Sequence, residues 1–359
     1  TDSDDLALMY RGTFSPAYYR RLYRYVHKVF RSRQGLAFLG EVCRFQRLPT
    51  AKQMRRTAAL AWYLPAIVGD RVLLALLANA SKTPRSEQGR QDPEDVGKAF
   101  SAQAAAFDDY EEGNPILQWM RRQVHRQIEK YVHPGDSILD INAGTGIDAI
   151  HFARRGHPVY AVDVADGMIA ELQKKVDALN LSHRVTSQKA SFTSLGALRP
   201  NKFHHVISNF GGLNCVADLR PIAGQLKPLL HPGGTVTLVI MPSLCPWEIL
   251  HCMKGDISLA FRRLRRNGTP AHVEGHRFLT YYHSPAKAIR SFGKQFKVLE
   301  LRGLAALSPP PYMDKFPRRF PRTYRVLTSL DESLARFPPF NRWADHYVLT
   351  LQYSPEGHE

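Results

Sequence analysis

SILDINAGTGIDA, residues Ser137–Ala149, is the stretch that decides the fold. Ser137–Asn142 is a short apolar run behind the turn His133-Pro-Gly-Asp136, and it reads as a buried strand. A glycine-containing turn follows, and Ile147–Arg155 has the spacing of a helix. Glycine suits such a turn because the backbone bends sharply and a ligand must approach without a Cβ in the way. The free N–H groups and positive dipole end of the helix then face any carboxylate or phosphate lodged there. The next strand, Pro158–Val164, carries Asp163 near its end, 23 residues after Asp140. A carboxylate placed there can accept both hydroxyls of a ribose. Strand, glycine turn, helix, strand and acid together describe a nucleoside-binding unit.

Outward from this unit the alternation continues. Asp166–Leu179 reads as a helix, Arg184–Ala190 and Phe203–Asn209 as strands, and Ala217–Leu230 as a helix. The turn His231-Pro-Gly-Gly234 leads into a strand over Thr235–Met241. Such alternation predicts an α/β fold, a doubly wound Rossmann-like sheet covered by helices on both faces. Two late strands, Phe296–Leu301 and His346–Gln352, flank a Pro- and Arg-rich segment and are expected to pair antiparallel at one edge. Upstream, Ala99–Phe107 and Pro115–Tyr131 read as helices. Residues 1–80 form a basic helical extension in this reading, with Tyr18, Tyr19, Leu22, Tyr23, Tyr25, Val26, Val29 and Phe30 at helical spacing among arginines. The polar stretch 81–97, with two prolines and two glycines, reads as a linker, which leaves 98–359 as the α/β domain.

The charge is unevenly placed. The chain of 359 residues carries a net charge of +17, and residues 1–90 hold 16 Lys/Arg against 6 Asp/Glu. Such a region suits a peripheral membrane surface or an acidic partner protein. Without a recognition motif it does not argue for nucleic acid. The four cysteines, Cys43, Cys215, Cys245 and Cys252, form no CxxC pair, so neither a zinc ribbon nor a disulfide framework is expected, and no metal site. Reduced thiols and the lack of a visible signal peptide suggest the cytoplasm, and a start at Thr1 fits a processed chain or part of a longer one. Ala58–Ala80 is apolar but interrupted by Pro65, Asp70 and Arg71, which suits a buried helical hairpin better than a membrane span.

Gly144-Thr-Gly146-Ile-Asp-Ala149 formally satisfies the dinucleotide fingerprint G-x-G-x-x-G/A. The acid at the strand end, Asp140, suits an ammonium-bearing ligand better than a pyrophosphate. The whole run Ser137–Gln173 resembles the first two motifs of class I S-adenosylmethionine-dependent methyltransferases. Phe100–Tyr110 is similar to the segment that caps the cofactor in small-molecule members of that family, and Phe203–Asn214 resembles their fourth-strand motif. The resemblance covers roughly residues 98–353 and implies a seven-stranded sheet with the last strand antiparallel. It also implies an enzyme that uses S-adenosyl-L-methionine. Asp140, Asn142, Ala143, Gly144 and Gly146 would then hold the methionine moiety and Asp163 the ribose. Val164, Met168, Ser191 and Phe192 would surround the adenine, and Asn209 and Phe210 would sit beside the sulfonium. Two positions depart from the family pattern: Asn142 stands where a glycine is usual, and Ser191 where an Asp often bonds the adenine amine. Asp5–Gly35 is similar to the C-terminal tail of cobalamin-binding radical S-adenosylmethionine proteins, although no three-cysteine cluster motif is present.

Methyl transfer is an in-line displacement in which proximity and alignment do most of the work, and a base is needed only where the acceptor must lose a proton. His251 and His283 are the expected bases, with Asn214, Trp247, Tyr281, Tyr282 and Tyr312 near the acceptor. The expected substrate is a small or lipid-like molecule. The alternatives are an RNA methyltransferase, against which no Asn/Asp-Pro-Pro-aromatic motif follows the fourth strand, and a non-catalytic, cofactor-binding partner of a radical enzyme.

Overall fold

The computed structural model describes residues 92–198, 202–250 and 257–356. The expectations for the extension at 1–80, the apolar stretch 58–80 and His251 fall outside the described residues. The chain divides into two units, 90–249 with 262–359, and 1–89 with 250–261. Of the second, the described residues contribute the single-turn helix Ile257–Ala260. Among the described residues no helix is long and apolar enough to cross a membrane.

The larger unit opens with α1 (Pro93–Gly113), which begins inside the stretch read as a linker. Asp92 caps it by accepting from Glu94 N, Pro93 supplies a preset φ, and Glu94 and Asp95 face the dipole. A polar, proline-containing stretch is therefore a helix start here. α2 (Pro115–Ile128) buries Ile116, Met120, Val124 and Ile128, a stripe at intervals of four. Then come β1 (Ile138–Asp140), α3 (Ile147–Arg154), β2 (Val159–Asp163), α4 (Asp166–Ala178), β3 (Val185–Lys189) and β4 (Phe203–Ser208). They are followed by α5 (Arg220–Leu226), β5 (Leu230–Ile240), β6 (Thr269–Val273), β7 (His276–Thr280), α6 (Pro285–Phe292), β8 (Phe296–Leu304), α7 (Pro321–Leu334) and β9 (His346–Tyr353).

Seven strands form one sheet in the order β3-β2-β1-β4-β5-β9-β8. β1 to β5 are parallel, and β9 runs antiparallel to both β5 and β8. The late antiparallel pair expected from the sequence is thus present. Two apolar layers cover the sheet. Leu139, Val206, Ile222, Val236 and Phe292 lie in one. Ile138, Met120, Phe152, Leu172 and Ile207 lie in the other. Successive residues of β1 feed opposite layers, which is why its run is continuously apolar. Each fully buried Ile, Leu or Phe adds roughly 1.5–3 kcal/mol.

Three features depart from the sequence reading. The expected turn at His231–Gly234 lies within β5 as an excursion, since Leu230 pairs with Phe203 and Thr235 with His205. β6 and β7 form a separate hairpin whose loop, Glu274-Gly275, has φ of 45° and 81°, the pair of positive angles that matches strand twist. α7 lies inside the Pro- and Arg-rich segment, started by Pro321 in its first turn. The chain order reverses between β1 and β4, so a crevice opens at the carboxyl ends of those two strands.

Candidate functional site

Asp140 ends β1 at the mouth of this crevice, paired across to Ile207 of β4. It is 1% exposed; Oδ1 accepts from Asn142 N at 3.4 Å, and Oδ2 is buried without a hydrogen-bond partner. Burial, then the neighbouring Asp148 charge, pushes its carboxyl well above the ordinary range. Gly146 lets the loop pass: its φ is 83°, and a Cβ there would lie 2.6 Å from Leu172 Cγ. A Cβ on Gly144 would meet nothing within 4 Å, so the loop is open on that side. Asp163 closes the loop, its Oδ2 accepting from Gly144 N and Oδ1 from Ala165 N, both at 2.9 Å. Burial raises its carboxyl too.

Of the residues expected around the adenine, Met168 packs where α1 meets α4. Met168, Ala165 and Ala104 form a small buried cluster with Phe100 and Phe107 against it. α1 is latched onto the loop, where Thr145 Oγ1 donates to Asp108 Oδ1 at 2.5 Å, and onto α4, where Gly167 N donates to Ser101 Oγ at 3.1 Å. Val164 lies under the same helix, its carbonyl 3.0 Å from where a Cβ on Gly97 would be. Ser191 and Phe192 are half-buried after β3, and Ser191 Oγ bonds Thr193 Oγ1 at 2.7 Å.

Asn209 and Phe210 form the opposite lip. Asn142 Nδ2 donates to Asn209 O at 2.6 Å, bridging the crevice, while Asn209 Nδ2 donates to Asp148 Oδ2 at 2.8 Å. Phe210 sits at φ 41° with the Arg121 guanidinium 4.6 Å from its ring centre. That arginine belongs to a buried charge cluster which sequence reasoning missed. Arg121 bonds Asp148 Oδ2 at 2.6 Å and Glu111 Oε2 at 2.8 Å, and His125 Nε2 meets Asp148 Oδ1 at 2.6 Å. Burial opposes the charge on Asp148, but Arg121 and His125 outweigh it and hold the carboxyl far below its ordinary value. His151 stacks on His125 at 3.7 Å, and burial, then His125, lowers it to about 4. The only sequence signal was an acid on the first turn of α3 and basic residues along α2.

The acceptor-side expectations fare differently. His283 is wholly buried, with Nε2 bonded to Val216 O at 2.8 Å and Nδ1 without a partner. Burial lowers it to about 4, so it is neutral at pH 7 and enclosed. Asn214 is also wholly buried. Its Nδ2 donates to Met241 O and Tyr281 O, and its Oδ1 accepts from Met241 N. It ties the β4 loop to β5, and both ends of its amide are engaged there. Tyr282 lies beneath Arg263 at 5.1 Å, whereas Tyr312 is half exposed. Cys245, Glu248 and Asp345 bring three metal-ligating atoms within 4.8 Å of one another, yet the Arg263 guanidinium already bonds both carboxylates, at 2.8 and 2.7 Å.

A family model described as a methyltransferase domain matches residues 138–234, from β1 into the start of β5. Demethylmenaquinone methyltransferase of Corynebacterium efficiens is 25% identical over 151 residues, 41% of this chain and 60% of that protein. The enzyme of the same name from Symbiobacterium thermophilum is 29% identical over 136 residues, 35% of this chain and 52% of that protein. The chain thus spans no more than 60% of the length of these relatives. The structure of the 4+2 cyclase SpnF superposes with a TM-score of 0.50 at 12% identity, covering 74% of this chain and 97% of that one. That last likeness concerns the fold alone.

Proposed function

From the premise that this α/β unit is a class I S-adenosylmethionine-dependent methyltransferase domain, we propose that the protein transfers a methyl group to a small or lipid-like acceptor. The observation that carries the reading is the loop itself, where a buried carboxylate oxygen of Asp140 has no partner and the side at Gly144 is open. An ammonium group would supply donors to that oxygen and restore the charge that burial disfavours. Asp163 would take the ribose hydroxyls, and the Met168 cluster with α1 would cover the adenine while excluding water. S-adenosylmethionine, when bound, supplies a methyl group already activated on a sulfonium. Asn209 and Phe210 would align the acceptor face, with Phe210 held by the Arg121 cation. A lipid-like acceptor is favoured by the names of the curated relatives and by the half-exposed Tyr312.

Isothermal titration with S-adenosylmethionine and S-adenosylhomocysteine tests this reading, with Asp163→Ala as control. Micromolar binding by the wild type that weakens at least about tenfold in the variant is expected, one charge-assisted hydrogen bond being worth about 1.5–3 kcal/mol. No binding by the wild type would sink the methyltransferase reading.

A further inference from the structure

Beside the Phe210 lip lies a second polar pair that neither the expected bases nor the cofactor contacts employ. His346 opens β9, with Asp345 just before it; the strand runs antiparallel to β5, so its start lies at the carboxyl ends of β4 and β5. Asp345 Oδ2 accepts from His346 Nδ1 at 2.9 Å. Arg263 anchors the acid, with Nη2 on Asp345 Oδ1 and Nη1 on the Asp345 carbonyl, both at 2.7 Å. Asp345 N in turn donates to Ala305 O at 3.0 Å. The imidazole stands edge-on to Phe210, ring centres 6.0 Å apart, and its Nε2 is 3.8 Å from where a Cβ on Gly211 would be. The hydrogen bond of the ring runs through Nδ1, which leaves Nε2 on the side of Gly211. Burial opposes the Asp345 charge, but His346 and Arg263 outweigh it and keep the carboxylate ionised.

We propose that His346 is the base that takes the proton from a weakly acidic, phenol-type hydroxyl acceptor, with Asp345 and Arg263 as positioning residues. The proposal rests on the methyltransferase reading above. Asp345 holds the Nδ1 proton in place, which leaves the Nε2 lone pair directed toward the Phe210 lip, the arrangement that makes a neutral histidine an effective base. The hydroxyl proton passes to Nε2 as an oxygen lone pair forms the bond to the methyl carbon. The carbon–sulfur bond breaks with its electron pair staying on sulfur, and His346 ends as imidazolium beside an ionised Asp345. Among the described residues, the charged and titratable groups around the pair include Asp345, Arg263, Glu248, Arg262, Cys245, Tyr282 and Tyr312, with Arg121 across Phe210.

The test uses the full chain and separates this proposal from its premise. If titration shows no binding of S-adenosylhomocysteine, the methyltransferase reading fails. With binding established, nitrogen-15 histidine spectra, assigned with His346→Gln, should show His346 protonated at Nδ1, free at Nε2 and shifted by S-adenosylhomocysteine. Asp345→Asn should weaken the preference for the tautomer protonated at Nδ1. Transfer of a labelled methyl group to substituted phenols should fall by about 10²–10⁴-fold in His346→Gln, with cofactor affinity unchanged and the rising limb of the pH profile lost. Transfer to 4-nitrophenol, which ionises near neutral pH without a base, should be largely spared. A protonated Nε2, a signal indifferent to the cofactor, or unchanged phenol transfer in His346→Gln would overturn the assignment. So would a wild type that binds cofactor and methylates no phenol. Should His346→Gln fail to fold, the wild-type and Asp345→Asn spectra decide.

Discussion

Replacing Arg121 with methionine keeps the buried stem and removes the charge, which makes it the sharpest probe of the cluster beside the cofactor loop. The side chain is 12% exposed and lies between Glu111 and Asp148, themselves 8% and 7% exposed. Removing one partner of a buried ion pair costs about 3–5 kcal/mol, because the remaining charge has lost its compensation. Asp148 keeps His125 and the Asn209 amide, so the lower end applies, about 3 kcal/mol. For a domain of this size that corresponds to a fall in Tm of roughly 6–12 °C. The pH dependence adds an independent check. The Asp148 carboxyl is depressed in the folded state, so its contribution is fully present above its unfolded value near 3.8 and is lost as pH falls from there toward the much lower folded value. In Arg121→Met the depression is smaller, and the loss of stability on acidification below about pH 5 should shrink. Urea unfolding at several pH values, followed by Trp119 fluorescence and circular dichroism, measures both. A penalty under about 1 kcal/mol with an unchanged acid slope would mean that the cluster is not a desolvated pair, and the argument from its geometry fails.

Three further outcomes are expected. Gly146→Ala should destabilise by about 2–4 kcal/mol in thermal unfolding, since a left-handed backbone angle and a collision with Leu172 add together. Asp140→Asn should weaken S-adenosylmethionine binding by about 10–150-fold. Because the Asp140 carboxyl is raised in the free protein, wild-type affinity should fall as pH is lowered, and titration calorimetry on the variant should give a flatter profile. Gly212→Ala should abolish cofactor binding or cost at least about 1 kcal/mol, because the new Cβ meets the Asn142 amide, and Asn142→Gly in the same chain should restore much of the loss.

The strand end at Asp140, the turn at Gly144 and Gly146 and the strand end at Asp163 were legible in the sequence because they are local features that lie close along the chain. The parallel sheet was legible for the same reason, its strands being apolar on both faces. The Arg121 cluster was not, since it joins α1, α2, α3 and the β4 loop, and no spacing rule links Glu111 to Asp148. The hairpin at Glu274-Gly275 was passed over because that dipeptide is a weaker turn signal than Asn-Gly, and α7 because Pro and Arg read as irregular chain. Asp92-Pro93-Glu94 looked like linker composition but is a helix cap. His346 did leave a trace. An Asp-His pair stands at the head of an otherwise apolar final strand, and polar residues at such a place are there for a reason other than packing.

Asn142, in place of the usual glycine, first reads as a weakness of the loop. Its surroundings argue otherwise. The side chain lies against Gly212, so the missing glycine of one lip is matched by a glycine on the other, and the backbone approach between them is kept. Its amide donates to Asn209 O, which fixes the orientation and leaves Oδ1 buried without a donor. Asp140 Oδ2, two residues earlier in the same loop, is in the same state. A buried acceptor left unmade costs about 1–3 kcal/mol, so two in one short loop are a standing strain that folding alone does not relieve. An ammonium group carries three donors and a positive charge, which suits a loop that holds an orphaned amide oxygen and an orphaned carboxylate oxygen better than water or a pyrophosphate would. The substitution at 142 therefore adds an acceptor to the seat, and it points the loop away from dinucleotides and toward the amino-acid end of S-adenosylmethionine.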